Sequence, residues 1–472
     1  MFIYSPTGCM PLNPARQRIV VDNPATGQAI ATVELASEQE MDAVVEGAAA
    51  AQLIWQARPQ IERADSLRRL ARMLLEQVEP IAEMLALESG KSLDESRAEV
   101  TYAAEITRYH AEWARRLEGE VIPSDAPDEL LVLQREPIGV VTCLIPFNYP
   151  IYILFRKIAP ALIAGNSVVV RPSNHTPCSA LVISRLLEKA EIPGGLISIV
   201  AMDNHVAGRL CTHPRIGMIS LTGSVEAGRH VLDYCKANIA KPSLELGGKT
   251  PVLVGGDADI ALAARMIAGA KRTHCGQVCT SPERVYVVDS VYEPLIERLR
   301  DAFKATHFGD RSLYPDHMGP LISRDTQLRT HMMVQAALAA GAKLEAGGYL
   351  PDMPGYFYPV TLLSDCHHDM EIMRTELFAP VLAVMRVADL DAALAYANDH
   401  RLGLTSMLFT ESYRDAMRIA TRIQAGELIV NRAPADPYQG FHAGWKQSGI
   451  GGDDGKHGVL AFTQTRLVTF KF

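Results

Sequence analysis

The chain has no surplus of positive charge. Its 46 Lys and Arg stand against 54 Asp and Glu, a net charge of −8, with an isoelectric point near 6.0. No basic footprint for nucleic acid or an anionic membrane surface is present, so neither is expected as a partner. Long apolar runs are also missing. The longest, such as LIVNRAP and SVVVRP, have strand length and cannot span a bilayer. The opening MFIYSPTGCMPLNPARQ has no charged segment leading into an apolar core, so it does not read as a secretory signal. Eight cysteines scattered over 472 residues form no disulfide framework, and a reducing cytoplasm is the expected compartment. There is no repeat, no low-complexity tract and no block of like charge. Nor is there a GxGxxG, so the ordinary dinucleotide fingerprint is absent.

What is present is a globular composition, 48% hydrophobic and 21% charged, in a chain long enough for two or three domains. From 38 to 118 apolar residues recur at three- and four-residue steps, which predicts helices. From 139 the rhythm changes to strand and helix in alternation: VVTCLIPF, IYILFRKIAPALIAG, NSVVVRPS, SALVISRLLEKA, GLISIVAM, VAGRLCTH, GMISLTGS, VEAGRHVLDYCKA. Such alternation predicts right-handed crossovers on a mostly parallel sheet, a doubly wound α/β domain with ligands beyond the carboxyl ends of its strands. A second α/β unit follows, from TPVLVGG through GELIVNRA. Residues 119–137 read as a hairpin with a Pro/Asp turn. The final TRLVTFKF alternates as a strand with no helix beside it, and another subunit is a reasonable partner for it.

The densest chemistry lies in THCGQVCTS, where His274, Cys275 and Cys279 fall within six positions. A structural zinc site needs about four ligands in well-separated pairs, and no second pair exists, so no metal is expected. CxxxC is not the CxxC of thioredoxin-like thiols. The choice narrows to a nucleophile or an inert core cysteine. Two other stretches bear on it. In LELGGKT, Glu245 ends an apolar strand beside a glycine turn, where it is either a desolvated acid facing a cavity or an exposed loop carboxylate. In LIPFNYP, Asn148 sits before a proline-started helix, where it either donates to an oxyanion or caps the helix.

PFNYP, LTGSVEAG, LELGGKT, GQVCT, and TELFAPV followed by GLTSMLFT resemble, in that order, the motifs of the NAD(P)-dependent aldehyde dehydrogenase superfamily. The likeness runs from VDNPATG at 21 to the C-terminus. It implies that Cys279 is the nucleophile and Glu245 the base that activates water. It further implies that Asn148, with the backbone N–H of Cys279, forms the oxyanion hole, and that Lys157 supports the site. Cys275 matches no catalytic position and reads as a bystander whose oxidation would silence Cys279 through a disulfide. The resemblance also implies NAD or NADP as cofactor, held by Ile145, Pro146, Phe147, Arg171, Ser173, Asn174, Gly223, Ser224, Gly228, Glu376 and Phe378. Ala379 stands where the family usually has glycine. Arg171 and Asn174 replace the usual Lys and Glu at the adenine ribose. That exchange removes a carboxylate that would repel a 2′-phosphate, so NADP is expected to be tolerated as well as NAD.

Within the family, AEWARRLEGEVIPSD and QGFHAGW resemble the lactaldehyde and glycolaldehyde dehydrogenase branch, whose arginine, acid and histidine map onto Arg156, Asp436 and His442. The acid is glutamate in that branch. Arg156, taken as a cation facing the substrate tunnel, also suits phosphonate-, sulfonate- or carboxylate-bearing aldehydes; its alternative is a surface ion pair. Two further readings stay open: a CoA-acylating relative, and a catalytically silent protein on the same fold. The implied architecture is a cofactor domain at 1–118 and 138–246, a catalytic domain at 247–445, and an oligomerisation arm at 119–137 and 446–472. A homo-oligomer, dimer or tetramer, is expected.

Overall fold

The computed structural model describes residues 2–187, 192–309 and 317–472. Two largely parallel sheets organise it. The first runs in the order Gly449–Ile450, Lys241–Glu245, Ile216–Thr222, Val140–Leu144, Ser167–Arg171 and Ile197–Ile199. All its pairings are parallel except that of the short Gly449–Ile450. Both faces are covered, which is why its strands read as continuous apolar runs. Val168 and Val170 pack into a core with the helices Gln60–Glu76, Leu93–Ala111 and Pro150–Ala164. Val169 points the other way, toward Glu38–Gln56, Asn204–Thr212 and Val225–Asn238. The predicted helix SALVISRLLEKA is observed as Cys178–Leu187, and its last three residues lie outside the described ones.

The second sheet runs Lys343–Ala346, Thr361–Ser364, Val381–Val387, Arg284–Val288, Pro251–Val254, Thr405–Phe409 and Glu427–Val430. Only Lys343–Ala346, which the sequence pattern did not single out, runs antiparallel to its neighbour. A further three-stranded sheet, from Phe2–Tyr4, Arg18–Asn23 and Gln28–Glu34, was likewise not anticipated. Local chemistry punctuates the helices. Ser37 with Glu40, and Ser92 with Glu95, form reciprocal capping boxes. Gly165 ends the helix Pro150–Ala164 at φ 101°, and a Cβ there would meet Arg63 Nη1 at 2.3 Å.

The hairpin expected at 119–137 forms from Glu120–Ile122 and Glu129–Pro137. The terminal strand Thr463–Lys471 joins the hairpin, pairing antiparallel with Glu129–Pro137 of the same chain in register from Thr463↔Pro137 to Lys471↔Glu129, and it forms one edge of this sheet. Its alternation marks a strand, but pairing across 326 to 342 positions leaves no local trace. Of the stretch 446–472, Thr463–Lys471 alone lies in this sheet, whereas Gly449–Ile450 extends the first large sheet and Asp453 and Asp454 are buried beneath it. No helix among the described residues is long and apolar enough to cross a membrane.

Candidate active site

The carboxyl ends of four parallel strands, at Leu144, Arg171, Thr222 and Glu245, open into one cavity of about 1400 Å³. That is where a doubly wound sheet places its ligands, and the volume exceeds the ~300–1,000 Å³ of an ordinary small-molecule pocket. Cys279, Phe378, Asp436 and His442 line it from the opposite side.

Cys279 is aimed by strained backbone. His274 and Cys275 hold φ of 44° and 56°, and Gly276 follows at 70°. Non-glycine residues in this region cost roughly 1–2 kcal/mol each. At Gly276 a Cβ would lie 2.5 Å from Ala379 O, so glycine is required there. The two cysteines separate as a result: Cys275 is packed into the core of the second large sheet, and Cys279 is half-buried against the cavity. Gly248 lets the chain pass close, since a Cβ would sit 3.0 Å from Cys279 O.

Asn148 is not a helix cap. Its Nδ2 donates to Gln277 O at 3.0 Å, while the N–H groups of Ile151 and Tyr152 at the helix start are accepted by Glu99, at 2.8 and 3.2 Å. Gln277 is itself clamped: its Nε2 donates to His274 O at 3.1 Å and its Oε1 accepts from Ile322 N at 2.9 Å. One amide N–H of Asn148 thus fixes its orientation and the other is left for the cavity that Asn148 lines. Asn148→Ala is expected to lower kcat by about 10²- to 10³-fold with coenzyme affinity unchanged. A loss of melting temperature with kcat intact would return Asn148 to a structural role.

Glu245 is buried, not an exposed loop carboxylate. Its Oε1 accepts from Asp453 N at 2.9 Å, and its Oε2 has no hydrogen-bond partner and lies 4.0 Å from Arg156 Nη1. Burial, and then the neighbouring Asp453 carboxylate, push its carboxyl well above the ordinary range. Asp453 stays charged: burial works against it, but Lys157 and Arg156 outweigh that cost and hold its carboxyl low. Lys157 Nζ donates to Asp453 Oδ2 and to Ser220 Oγ, both at 2.9 Å. Lys157 therefore lies below the cavity and is bound to Asp453, which in turn donates its N–H to Glu245. A half-buried thiol beside an amide donor and a raised carboxyl suits attack on a carbonyl followed by hydrolysis.

The aldehyde dehydrogenase family model matches residues 12–468. The lactaldehyde dehydrogenase of Escherichia coli is 39% identical over 95% of this chain and 94% of its own. The 3,6-anhydro-alpha-L-galactose dehydrogenase of Streptomyces coelicolor is 37% identical over 97% and 94%. The crystal structure of lactaldehyde dehydrogenase from Escherichia coli superposes with a TM-score of 0.98 at 37% identity, covering 100% of both chains. The chain belongs to the aldehyde dehydrogenase family. It is an NAD(P)-dependent oxidoreductase.

The groove of this dehydrogenase fits a dinucleotide. Arg171 ends its strand facing the cavity, donates from Nη2 to Asn204 Oδ1 at 2.9 Å, and keeps a buried Nε without a partner. Ser173, Ile145, Pro146 and Phe147 line the same wall. Ser224 caps the helix Val225–Asn238, accepting from Ala227 N at 3.1 Å, so the helix start faces the groove where an anion is favoured. Gly223 borders it too, although its N–H is taken by Glu245 O at 3.0 Å. At the far end Glu376 accepts from Gly248 N at 2.9 Å, and burial pushes its carboxyl up to about 8. A side chain at Gly247 would strike Glu376 at 2.0 Å. Phe378 holds φ 56° because Glu283 accepts its N–H at 2.9 Å, and its ring meets Phe147 edge-on at 5.8 Å. Two of the expected residues do not line the cavity. Gly228 is absent from the cavity wall and instead packs on Leu246, where a Cβ would meet Cδ1 at 2.5 Å. Asn174 also lies off the wall, its Oδ1 buried without a partner.

At the substrate end, Arg156, Asp436 and His442 do come together, but Arg156 is not a free cation. Its side chain is 1% exposed and is bound by Asp454, with Asp436 Oδ2 at 3.4 Å and Asp453 Oδ2 at 4.0 Å. Against Arg156, Lys157 and His442 stand the carboxyls of Glu245, Glu427, Asp436, Asp453 and Asp454. The cluster has no net positive charge to offer. Asp453 and Asp454, in GGDDG, and Glu427, at the start of ELIV, escaped sequence reasoning because no periodicity ties them to Glu245. The tie is made by an antiparallel bridge in which His442 and Asp453 exchange hydrogen bonds of 3.0 and 2.9 Å.

Proposed function

We propose that this dehydrogenase oxidises a small, neutral, hydroxyl-bearing aldehyde of the lactaldehyde and glycolaldehyde class to its carboxylic acid. The observation that carries the reading is the charge-balanced cluster of Arg156, Asp436, Asp454 and His442 beside Cys279. Donors and acceptors in balance suit hydroxyl groups, whereas an anion would have to displace Asp454 or Asp436 from a buried ion pair, which costs several kcal/mol. The names of the two relatives, a lactaldehyde and an anhydrosugar dehydrogenase, support a hydroxylated aldehyde.

In this reading Cys279 Sγ adds to the aldehyde carbon, and the oxyanion is held by the Asn148 amide and the backbone N–H of Cys279. When bound, NAD or NADP supplies the hydride acceptor. Glu245 then takes a proton from the water that hydrolyses the Cys279 thioester, while burial and the Asp453 carboxylate keep that carboxyl's affinity for a proton high against the opposing pull of Arg156 and Lys157. The adenine end, where Arg171 faces the cavity, favours use of both coenzymes.

NAD(P)H absorbance with lactaldehyde, glycolaldehyde, benzaldehyde and short phosphonate, sulfonate and carboxylate aldehydes tests the reading with each coenzyme. The hydroxyaldehydes are expected to show kcat/KM at least about tenfold above the anionic ones, a difference of 1.4 kcal/mol. A preference for an anionic aldehyde would overturn the substrate class. Strong exclusion of NADP would overturn the dual coenzyme, and acceleration by CoA would replace hydrolysis by acyl transfer.

We further propose the division into cofactor domain, catalytic domain and arm given above, in a cytoplasmic homo-oligomer. The arm supports it: Val121, Leu467 and Phe470 expose 72%, 57% and 45% of their surface on one small sheet. Sedimentation velocity is expected to give a dimer or tetramer, and a monomer at micromolar concentration would remove this proposal.

A further inference from the structure

We infer that His442, held by Glu427, is the proton acceptor that turns the Cys279 thiol into its thiolate. This active site then carries a cysteine–histidine–glutamate relay distinct from the Glu245 water-activating base. The inference rests on Cys279 being the nucleophile.

The geometry is that of an oriented base. His442 Nδ1 lies 2.9 Å from Glu427 Oε1. Glu427 is fixed in turn, since its Oε2 accepts from Thr405 Oγ1 at 2.6 Å on the neighbouring strand. One ligand-capable atom from each of Glu427, Asp436 and His442 falls within 4.8 Å of the others. The backbone of His442 is pinned by its bridge to Asp453. With Nδ1–H directed at the Glu427 carboxylate, the neutral ring keeps its lone pair on Nε2. Cys279 and His442 line the same cavity wall, and the imidazole favours the thiolate whereas the Glu245 carboxylate opposes it.

The surrounding charges favour the ion pair that results. Burial opposes the imidazolium, but Asp436 and Glu245 more than offset it, with Arg156 acting the other way, and hold His442 well above the ordinary histidine range. Burial pushes the Cys279 thiol up, with Asp436 and Glu245 adding to the rise, and His442 is the neighbour that pulls against it. Asp454 and Tyr149 complete the titratable groups facing the pair.

The step balances. The Sγ–H bond breaks and its proton goes to Nε2. The sulfur pair then forms the bond to the aldehyde carbon, and the carbonyl π pair moves to oxygen. When water cleaves the thioester, His442 returns its proton to the leaving sulfur, and the proton taken by Glu245 passes to solvent.

The test is the pH dependence of Cys279 alkylation by iodoacetamide in the coenzyme-free enzyme, followed by the mass of the Cys279 peptide. His442→Gln is expected to raise the midpoint of reactivity by about one pH unit and to slow alkylation at pH 7 about tenfold. Glu427→Gln should shift it in the same direction by less. An unchanged midpoint in His442→Gln, with only KM for the hydroxyaldehyde raised, would overturn the relay and leave His442 as a substrate contact. Melting temperature and NAD binding report the fold of each variant. If His442→Gln does not fold, an unshifted midpoint in Glu427→Gln overturns the relay by itself. Turnover surviving in Cys279→Ser would instead refute the nucleophile on which the inference rests.

Discussion

Cys279→Ala is expected to abolish both the initial burst and the steady state of NAD(P)H formation, a loss of roughly 10⁴-fold or more. The size follows from the chemistry. Without a covalent adduct, hydride would have to leave a hydrated aldehyde, and neither Asn148 nor Glu245 is placed to make one. The variant should stay folded, because the thiol is half-buried at a cavity wall and its removal opens no sealed void. Coenzyme affinity should persist, since Arg171, Ser224 and Glu376 lie along the rest of the groove. Rapid-mixing absorbance with a saturating hydroxyaldehyde measures this. Retention of about a tenth of the wild-type rate would assign the chemistry to another group.

Glu245→Gln should separate the two halves of the reaction. Glutamine keeps an acceptor for Asp453 N, so the site should hold its shape, but it cannot take a proton from water. One equivalent of NAD(P)H per site is expected, followed by a steady state about 10²- to 10⁴-fold slower, with the acyl group found on the Cys279 peptide by mass. The pH profile supplies a sign. The folded carboxyl is raised by burial and by Asp453, so it is protonated and inactive as a base at pH values where an ordinary carboxylate is already ionised. Wherever hydrolysis limits kcat, the rate should therefore rise with pH through that raised value. The acid limb should vanish in Glu245→Gln and move to lower pH in Asp453→Asn, which removes the like charge. A profile identical in all three proteins would show that Glu245 does not titrate in the rate-limiting step.

The proposed catalytic trio was legible because each member sits in a short motif with a local physical purpose. Glu245 ends a strand before two glycines, one of which a side chain would drive into Glu376. Asn148 precedes a helix begun by proline. Cys279 follows a turn that only glycine at 276 allows. Arg156 was legible as a position but not as a state: its helix is readable from periodicity, yet the carboxylates that neutralise it come from 280 and 298 residues away in the chain. The motif around Gly228 marks it as a coenzyme contact, while only the structure shows how closely it packs against Leu246.

The sequence by itself determined the alternation of strands and helices, the family, and which thiol, amide and acid are proposed to react. These are local properties of pattern and turn chemistry. Only the tertiary structure decided the partner of the last strand, the coupling of Glu245 to Asp453 and Lys157, and the seating of His442 on Glu427 at the wall that Cys279 also lines. Charge compensation and proton affinity depend on which groups share a buried volume, and that is settled by how the sheets pack, through contacts that leave no mark on neighbouring residues.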